Sequence, residues 1–135
     1  GAIKLLNHDS EPLTLALQGL NKFSNNFVAE QILKTIGAKK YGHPGTTLKG
    51  IKAFKEYLMA LGYQQNQYKV FDGSGLSRQN RLSPQIIVDI LRYVKNDLGV
   101  YPEFVSALGV MGVDGNVKNR MRGVQSSISG WKCKK

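Results

Sequence analysis

The chain has 135 residues, about the size of one domain, and its 41% of hydrophobic residues suffices for an ordinary buried core. Its 19 Lys and Arg residues against 9 Asp and Glu residues give a net charge of +10, which favours anionic partners such as nucleic acid, acidic lipid or an acidic polymer. No aromatic residues alternate with basic ones and no recognition motif stands out, so we expect no nucleic-acid partner; basic residues scattered for solubility are the simpler explanation.

Apolar spacing and capping residues predict three helices in the first half of the chain. The first covers residues 12–20, and the second follows the polar residues 24–26 and ends at Gly37. The third begins after a cap at Thr46 or Thr47. The predicted apolar stripes are, in order, Leu13, Leu17 and Leu20; Val28, Ile32 and Ile36; and Ile51, Phe54, Leu58 and Leu61.

The second half begins with a predicted short strand at residues 68–71, which runs into a loop too rich in glycine for a regular element. Ser83-Pro84 is a helix start, because proline at the first helical position loses no hydrogen bond there, and Gly99 ends this helix. Pro102 opens a shorter helix. The predicted stripe of the longer helix is Ile87, Ile90, Leu91, Val94 and Leu98. The sequence therefore predicts a mainly α (α+β) fold, a helical cluster with one short strand.

Cysteine and histidine usage excludes several kinds of site. Cys133 is the sole cysteine, so no internal disulfide forms and no pair of thiols can bind a metal. His8 and His43 lie far apart, outside any metal-ligand spacing, and we expect no metal or cofactor. No run reaches about 18 apolar residues, so we expect no membrane span, and the first residues do not form a signal peptide. The abrupt start and end indicate a fragment.

Two stretches carry polar residues that packing alone would not require. The first is Ser24-x-Asn26, where serine and asparagine at a helix start would satisfy unpaired backbone N–H groups. The second covers residues 72–80, where glycines allow a tight loop and Asp72 or Ser77 would bond local N–H groups. Each stretch taken alone is explained by this local, structural role.

Together with a third stretch at residues 112–121, the two stretches resemble a known family. Residues 24–30 read SNNFVAE, residues 72–84 read DGSGLSRQNRLSP, and residues 112–121 read GVDGNVKNRM. In this order they resemble the penicillin-binding proteins of the penicillin-binding protein 4 type, which are serine D-alanyl-D-alanine carboxypeptidases and endopeptidases. The resemblance covers nearly the whole chain from about residue 12 onward. It implies that the helical cluster is part of a beta-lactamase/transpeptidase-like fold.

Enzymes of this class combine the motifs SxxK, SxN and KTG. The SxxK serine is the nucleophile, and no serine ahead of Ser24 is followed by a lysine at that spacing. The KTG motif would start at Lys135, after Gly130 and Lys132, but these residues equally form a basic tail. The resemblance thus implies that residues 1–135 are a single partial domain, which lacks the SxxK part and the end of the KTG motif.

The resemblance also implies roles for individual residues. Ser24 would relay a proton to the departing D-alanine amine, and Asn26 would hydrogen-bond the substrate's amide. Lys135 would place positive charge near the substrate's terminal carboxylate. The loop residues that would brace the site, without doing chemistry, are Asp72, Gly73, Ser74, Gly75 and Ser77.

The implied function is that of a serine-type D-Ala-D-Ala carboxypeptidase of the periplasm or the secreted fraction. It would act on peptidoglycan stem peptides ending in D-Ala-D-Ala through an acyl-serine intermediate. Its partners would be the remainder of the same domain and, in the intact enzyme, beta-lactams. This chain alone would be inactive. The alternative is a non-catalytic basic module of the same fold that binds an anionic cell-wall polymer.

Overall fold

The computed structural model describes residue 3 and residues 5–120 of the chain. This part folds into five α-helices, which confirms the prediction of a mainly α fold. None of the described helices is long and apolar enough to cross a membrane. The helices are α1 (Leu13–Phe23), α2 (Asn26–Tyr41), α3 (Thr47–Ala60), α4 (Pro84–Asn96) and α5 (Tyr101–Ala107).

The predicted starts of two helices are confirmed, because local side chains fix them. The Thr46 hydroxyl accepts a hydrogen bond from the Lys49 backbone N–H at 3.2 Å and caps α3. The Ser83 hydroxyl accepts from the Ile86 N–H at 3.3 Å, and Pro84 occupies the first helical position of α4. Such caps satisfy N–H groups that have no partner within the helix, and each contributes about 1 kcal/mol.

The prediction that Gly37 ends the second helix is wrong. Helix α2 continues to Tyr41, and Gly42, with a φ of 79°, terminates it. Gly37 is buried where α2 crosses α3, and a Cβ atom there would lie 2.5 Å from the backbone nitrogen of Gly50. A Cβ on Gly50 would in turn lie 2.2 Å from the carbonyl oxygen of Leu33. The two glycines therefore let the helix backbones touch.

A small apolar core joins α3 to α4. Leu58, Tyr68 and Ile86 are buried, and partly buried side chains such as Phe54 and Ile90 pack around them. The α3 stripe is thus as predicted. The α4 stripe is confirmed at Ile90 and wrong at Ile87, which is 48% exposed while its neighbour Ile86 is fully buried. Neighbouring side chains point about 100° apart on a helix, so Ile86 and Ile87 cannot both face this core.

The predicted strand at residues 68–71 is reduced to one bridging pair. Lys69 and Arg81 exchange two backbone hydrogen bonds of 2.8 Å in antiparallel orientation, and pairing goes no further. The Tyr68 hydroxyl donates to the Lys55 carbonyl at 3.2 Å, which anchors this segment to α3. The bridge closes the loop of residues 70–80 at its base. Helix α4 also ends at Asn96, short of the predicted Gly99.

Candidate active site

The polar residues 24–26 form a sharp corner between α1 and α2. Ser24 ends α1 in the left-handed conformation (φ 56°, ψ 51°), and its backbone N–H bonds to the Leu20 carbonyl. This conformation ends many helices but is usually taken by glycine, because it costs a residue with a Cβ atom roughly 1–2 kcal/mol. The prediction that Ser24 caps the following helix is therefore wrong. It terminates the preceding one.

The capping role falls to Asn25. Its side-chain oxygen accepts a hydrogen bond from the Val28 backbone N–H at 3.2 Å, and Asn26 is the first residue of α2. Because Asn25 satisfies the helix start, Ser24 and Asn26 are not needed for it. Both residues are exposed. The corner thus exposes the Ser24 hydroxyl and the Asn26 amide at the surface of the described residues.

The loop of residues 72–77 is organised around one carboxylate. Asp72 accepts hydrogen bonds from the Gly75 N–H at 2.7 Å, the Ser77 N–H at 2.6 Å and the Asn80 amide at 2.8 Å. Desolvation raises the pKa of Asp72, but the hydrogen bonds from Asn80, Ser77 and Gly75 outweigh it and hold the pKa below its ordinary value. The prediction that Asp72 bonds local N–H groups is confirmed. Gly75 adopts a φ of 76°, which favours glycine.

Glu30 joins this loop to α2. One of its carboxylate oxygens, Oε1, accepts from the Gly73 N–H at 2.7 Å and from the Ser74 N–H at 3.0 Å. Gly73 lies so close to α2 that a Cβ atom would be 3.1 Å from the Ala29 carbonyl oxygen and from Leu33 Cβ. The structure thus brings the loop residues onto the helix that starts at Asn26.

An ion pair holds a third segment against the other side of the corner. Lys22 Nζ bonds to Asp114 Oδ2, and the Lys22 side chain is only 17% exposed. Asp114 Oδ1 accepts from the Val110 N–H at 2.7 Å. The hydrogen bond from Lys22, aided by that from Val110, holds the pKa of Asp114 below its ordinary value. At Gly115 (φ 62°), a Cβ atom would lie 2.5 Å from the Lys22 carbonyl oxygen.

Sequence reasoning did not single out Glu30, Lys22 or Asp114 as functional. Glu30 lies within the motif at residues 24–30, and Asp114 lies within the motif at residues 112–121. Their place in these motifs was the signal that could have found them. Their contacts join residues 43 and 92 positions apart, which no local pattern displays. Lys135, the third predicted catalytic residue, lies outside the described residues.

Behind the loop, an open groove of about 390 Å³ runs between α2, α3 and the segment of residues 70–82. Ile32, Ile36, Phe54 and Val70 line it, with Asp72 at one edge. Its walls are almost entirely apolar, so it offers burial to an apolar partner and not acid–base chemistry. The polar groups that could do chemistry lie at the corner.

Comparison with known proteins gives consistent matches. The chain is 36% identical over 127 residues to a D-alanyl-D-alanine carboxypeptidase of Actinomadura sp. (strain R39). This alignment covers 88% of this chain and 23% of the relative. The chain is also 30% identical over 117 residues to the D-alanyl-D-alanine carboxypeptidase DacB of Haemophilus influenzae. This alignment covers 86% of this chain and 24% of the relative. The chain therefore spans about a quarter of the length of these relatives.

The fold matches as well. The crystal structure of penicillin-binding protein 4 from Haemophilus influenzae, in complex with a beta-lactam, superposes with a TM-score of 0.74 at 30% sequence identity. The match covers 84% of this chain and 26% of that chain. A second structure of the same protein gives a TM-score of 0.73 at 28% identity. Residues 1–135 also match a family model over their whole length, so the resemblance seen in the motifs is confirmed and the chain belongs to the D-Ala-D-Ala carboxypeptidase 3 (S13) family.

Proposed function

We propose that this chain is part of a serine-type D-Ala-D-Ala carboxypeptidase that acts on peptidoglycan stem peptides through an acyl-serine intermediate. Family membership supports the reaction class. The observation that carries the proposal is the corner between α1 and α2, where Ser24 is held in a left-handed conformation and Asn25 takes over the capping role. Ser24 and Asn26 are then free for a substrate.

The two exposed side chains have different roles in this proposal. The Ser24 hydroxyl relays a proton to the departing D-alanine amine, as part of a general acid–base network with the lysine of the SxxK motif. The Asn26 amide donates to or accepts from the amide of the substrate and so fixes its pose. Lys135 places positive charge near the terminal carboxylate of the substrate. The loop residues 72–77 brace the site.

The nucleophile belongs to another part of the domain in this proposal. The family's SxxK motif precedes SxN, and no serine ahead of Ser24 has a lysine three positions later. The spacing does occur at Ser129 and Lys132, on the far side of SxN in the motif order. A serine hydroxyl is a weak nucleophile without a neighbouring base. The 135-residue chain alone is therefore inactive, and residues 1–135 form one partial domain.

The setting follows from the substrate class. A carboxypeptidase of stem peptides meets its substrate in the cell envelope, so we place the intact enzyme in the periplasm or outside the cell. Because the Haemophilus influenzae protein was crystallised with a beta-lactam, we propose beta-lactams as acylating ligands of the intact enzyme here. The open apolar groove supports the remainder of the same domain as a partner.

Acylation by a fluorescent penicillin, read by intact mass, tests this proposal. The 135-residue chain and a version extended at both ends are compared. We expect the extended protein to gain one penicillin and the short chain to gain none. Absence of labelling in both would contradict the proposal and favour a non-catalytic module that binds an anionic polymer. Labelling of the short chain that disappears in Ser129→Ala would place the nucleophile within residues 1–135.

A further inference from the structure

Glu30 lies one helical turn after Asn26 on the same side of α2, about 6 Å along the helix axis. Its carboxylate is partly buried and receives two backbone N–H groups on one oxygen, from Gly73 at 2.7 Å and from Ser74 at 3.0 Å. Hydrogen bonds to an ionised carboxylate are roughly twice as strong as those between neutral groups. The first turns of α2 and the loop are therefore joined by a strong local contact.

The loop also has internal hydrogen bonds that do not involve Glu30. Asp72 bonds to Gly75, Ser77 and Asn80 within the same segment, and the Asn80 side-chain oxygen accepts from the Phe71 N–H at 2.8 Å. These bonds make the loop a small preformed unit. Asp72 thus bonds the loop to itself, whereas Glu30 bonds the loop to α2.

We propose that Glu30 is a positioning residue for the reaction: by holding the loop of residues 72–77 against the first turns of α2, it fixes the place of Asn26 relative to the substrate. This inference rests on the proposed function. Gly73 supports it independently, because a Cβ atom there would lie 3.1 Å from the Ala29 carbonyl oxygen and from Leu33 Cβ, so even a methyl group would be crowded between loop and helix. Loss of the Glu30 carboxylate would remove the two hydrogen bonds that hold the loop to α2 one helical turn after Asn26.

The test uses the intact protein that contains this chain, with the variants Glu30→Ala and Glu30→Gln. The acylation rate constant with fluorescent penicillin, the melting temperature and the deuterium exchange of peptides over residues 72–77 are measured for each. We expect Glu30→Ala to lower the acylation rate constant about 10- to 100-fold, since small misplacements of positioning groups cost this much. Glu30→Gln keeps a neutral acceptor oxygen, so it should restore most of the rate.

Thr46→Ala is the matched control. Thr46 caps α3 and lies past the end of α2 that is far from Asn26. The substitution therefore lowers stability by about 1 kcal/mol without touching the corner. We expect it to lower the melting temperature while acylation stays within about twofold of the wild type. Exchange at residues 72–77 should rise in Glu30→Ala and remain unchanged in Thr46→Ala.

Three outcomes would overturn the inference in distinguishable ways. If wild-type protein is not labelled, the proposed function fails and the role of Glu30 fails with it. If wild type is labelled and Glu30→Ala reacts at the wild-type rate, only the inference about Glu30 is overturned. A Glu30→Ala rate that falls no more than that of a control of equal melting temperature would also contradict it, because Glu30 would then be merely structural.

Discussion

The core around Leu58 and the corner around Ser24 are held by different forces. Leu58, Tyr68 and Ile86 exclude water by apolar contact, which is indifferent to charge. Carboxylates hold the corner through contacts on both sides of it in the sequence. Before the corner, Lys22 pairs with Asp114; after it, Glu30 accepts hydrogen bonds from the loop. Hydrogen bonds to a carboxylate depend on their angle as well as their length. They can therefore fix the direction in which the Ser24 hydroxyl and the Asn26 amide point.

The largest effect should come from the core. Leu58→Ala empties a site that is fully buried, and we expect a loss of about 2–5 kcal/mol in the free energy of unfolding. Urea denaturation followed by circular dichroism measures this loss. A loss below about 1 kcal/mol would mean that the core collapses around the missing side chain and does not support the fold as described.

The contact between α2 and α3 should be nearly as sensitive. Gly37→Ala would place a Cβ atom 2.5 Å from the Gly50 nitrogen, so the helices must separate. We expect a loss of about 1–3 kcal/mol in the same urea measurement.

Gly19→Ala is the matched control for that contact, since nothing lies within 4 Å of a Cβ atom at position 19, in the middle of α1. This variant should gain about 0.5–1 kcal/mol, because alanine is the better helix former. A stabilising effect of Gly37→Ala equal to that of Gly19→Ala would contradict the close crossing of the two helices.

The pH dependence should separate the two regions. The pKa of Asp114 in the folded chain lies below its ordinary value of about 3.9, so folding favours the ionised form. Its contribution to stability is therefore present above that value and is lost as the pH falls through the folded pKa. The stability difference between wild type and Asp114→Asn should shrink below about pH 4. The penalty of Leu58→Ala should not change over this range, and a parallel change would contradict the comparison.

Local signals in the sequence were sufficient for part of this picture. Thr46 and Ser83 cap helices a few residues away, so their roles could be predicted from neighbours alone. Gly37 looked like a helix end because glycine is common there; its partner Gly50 lies on another helix. Ile86 and Ile87 are equally apolar, and only the position of Tyr68 and Leu58 decides which is buried.

The candidate site has a different origin in the sequence. Ser24, Asn26 and the loop were found through the family motifs, whereas periodicity and composition alone suggested only a cap and a turn. The left-handed conformation of Ser24 and the role of Asn25 could not be read from the sequence, since all three polar residues are suited to helix ends. The Glu30 contact joins residues 43 apart, so only the fold reveals it.

Adjacent asparagines allow the most direct test of the central claim that the corner is an active-site element. In the intact protein, Asn26→Ala should lower the rate of acylation by fluorescent penicillin about 10- to 100-fold with little change in melting temperature. Asn25→Ala removes the cap of α2 and should lower stability by about 1 kcal/mol with a much smaller effect on acylation. If Asn26→Ala reacts at the wild-type rate, or if both variants lose acylation only in proportion to stability, the corner is structural and the account is contradicted.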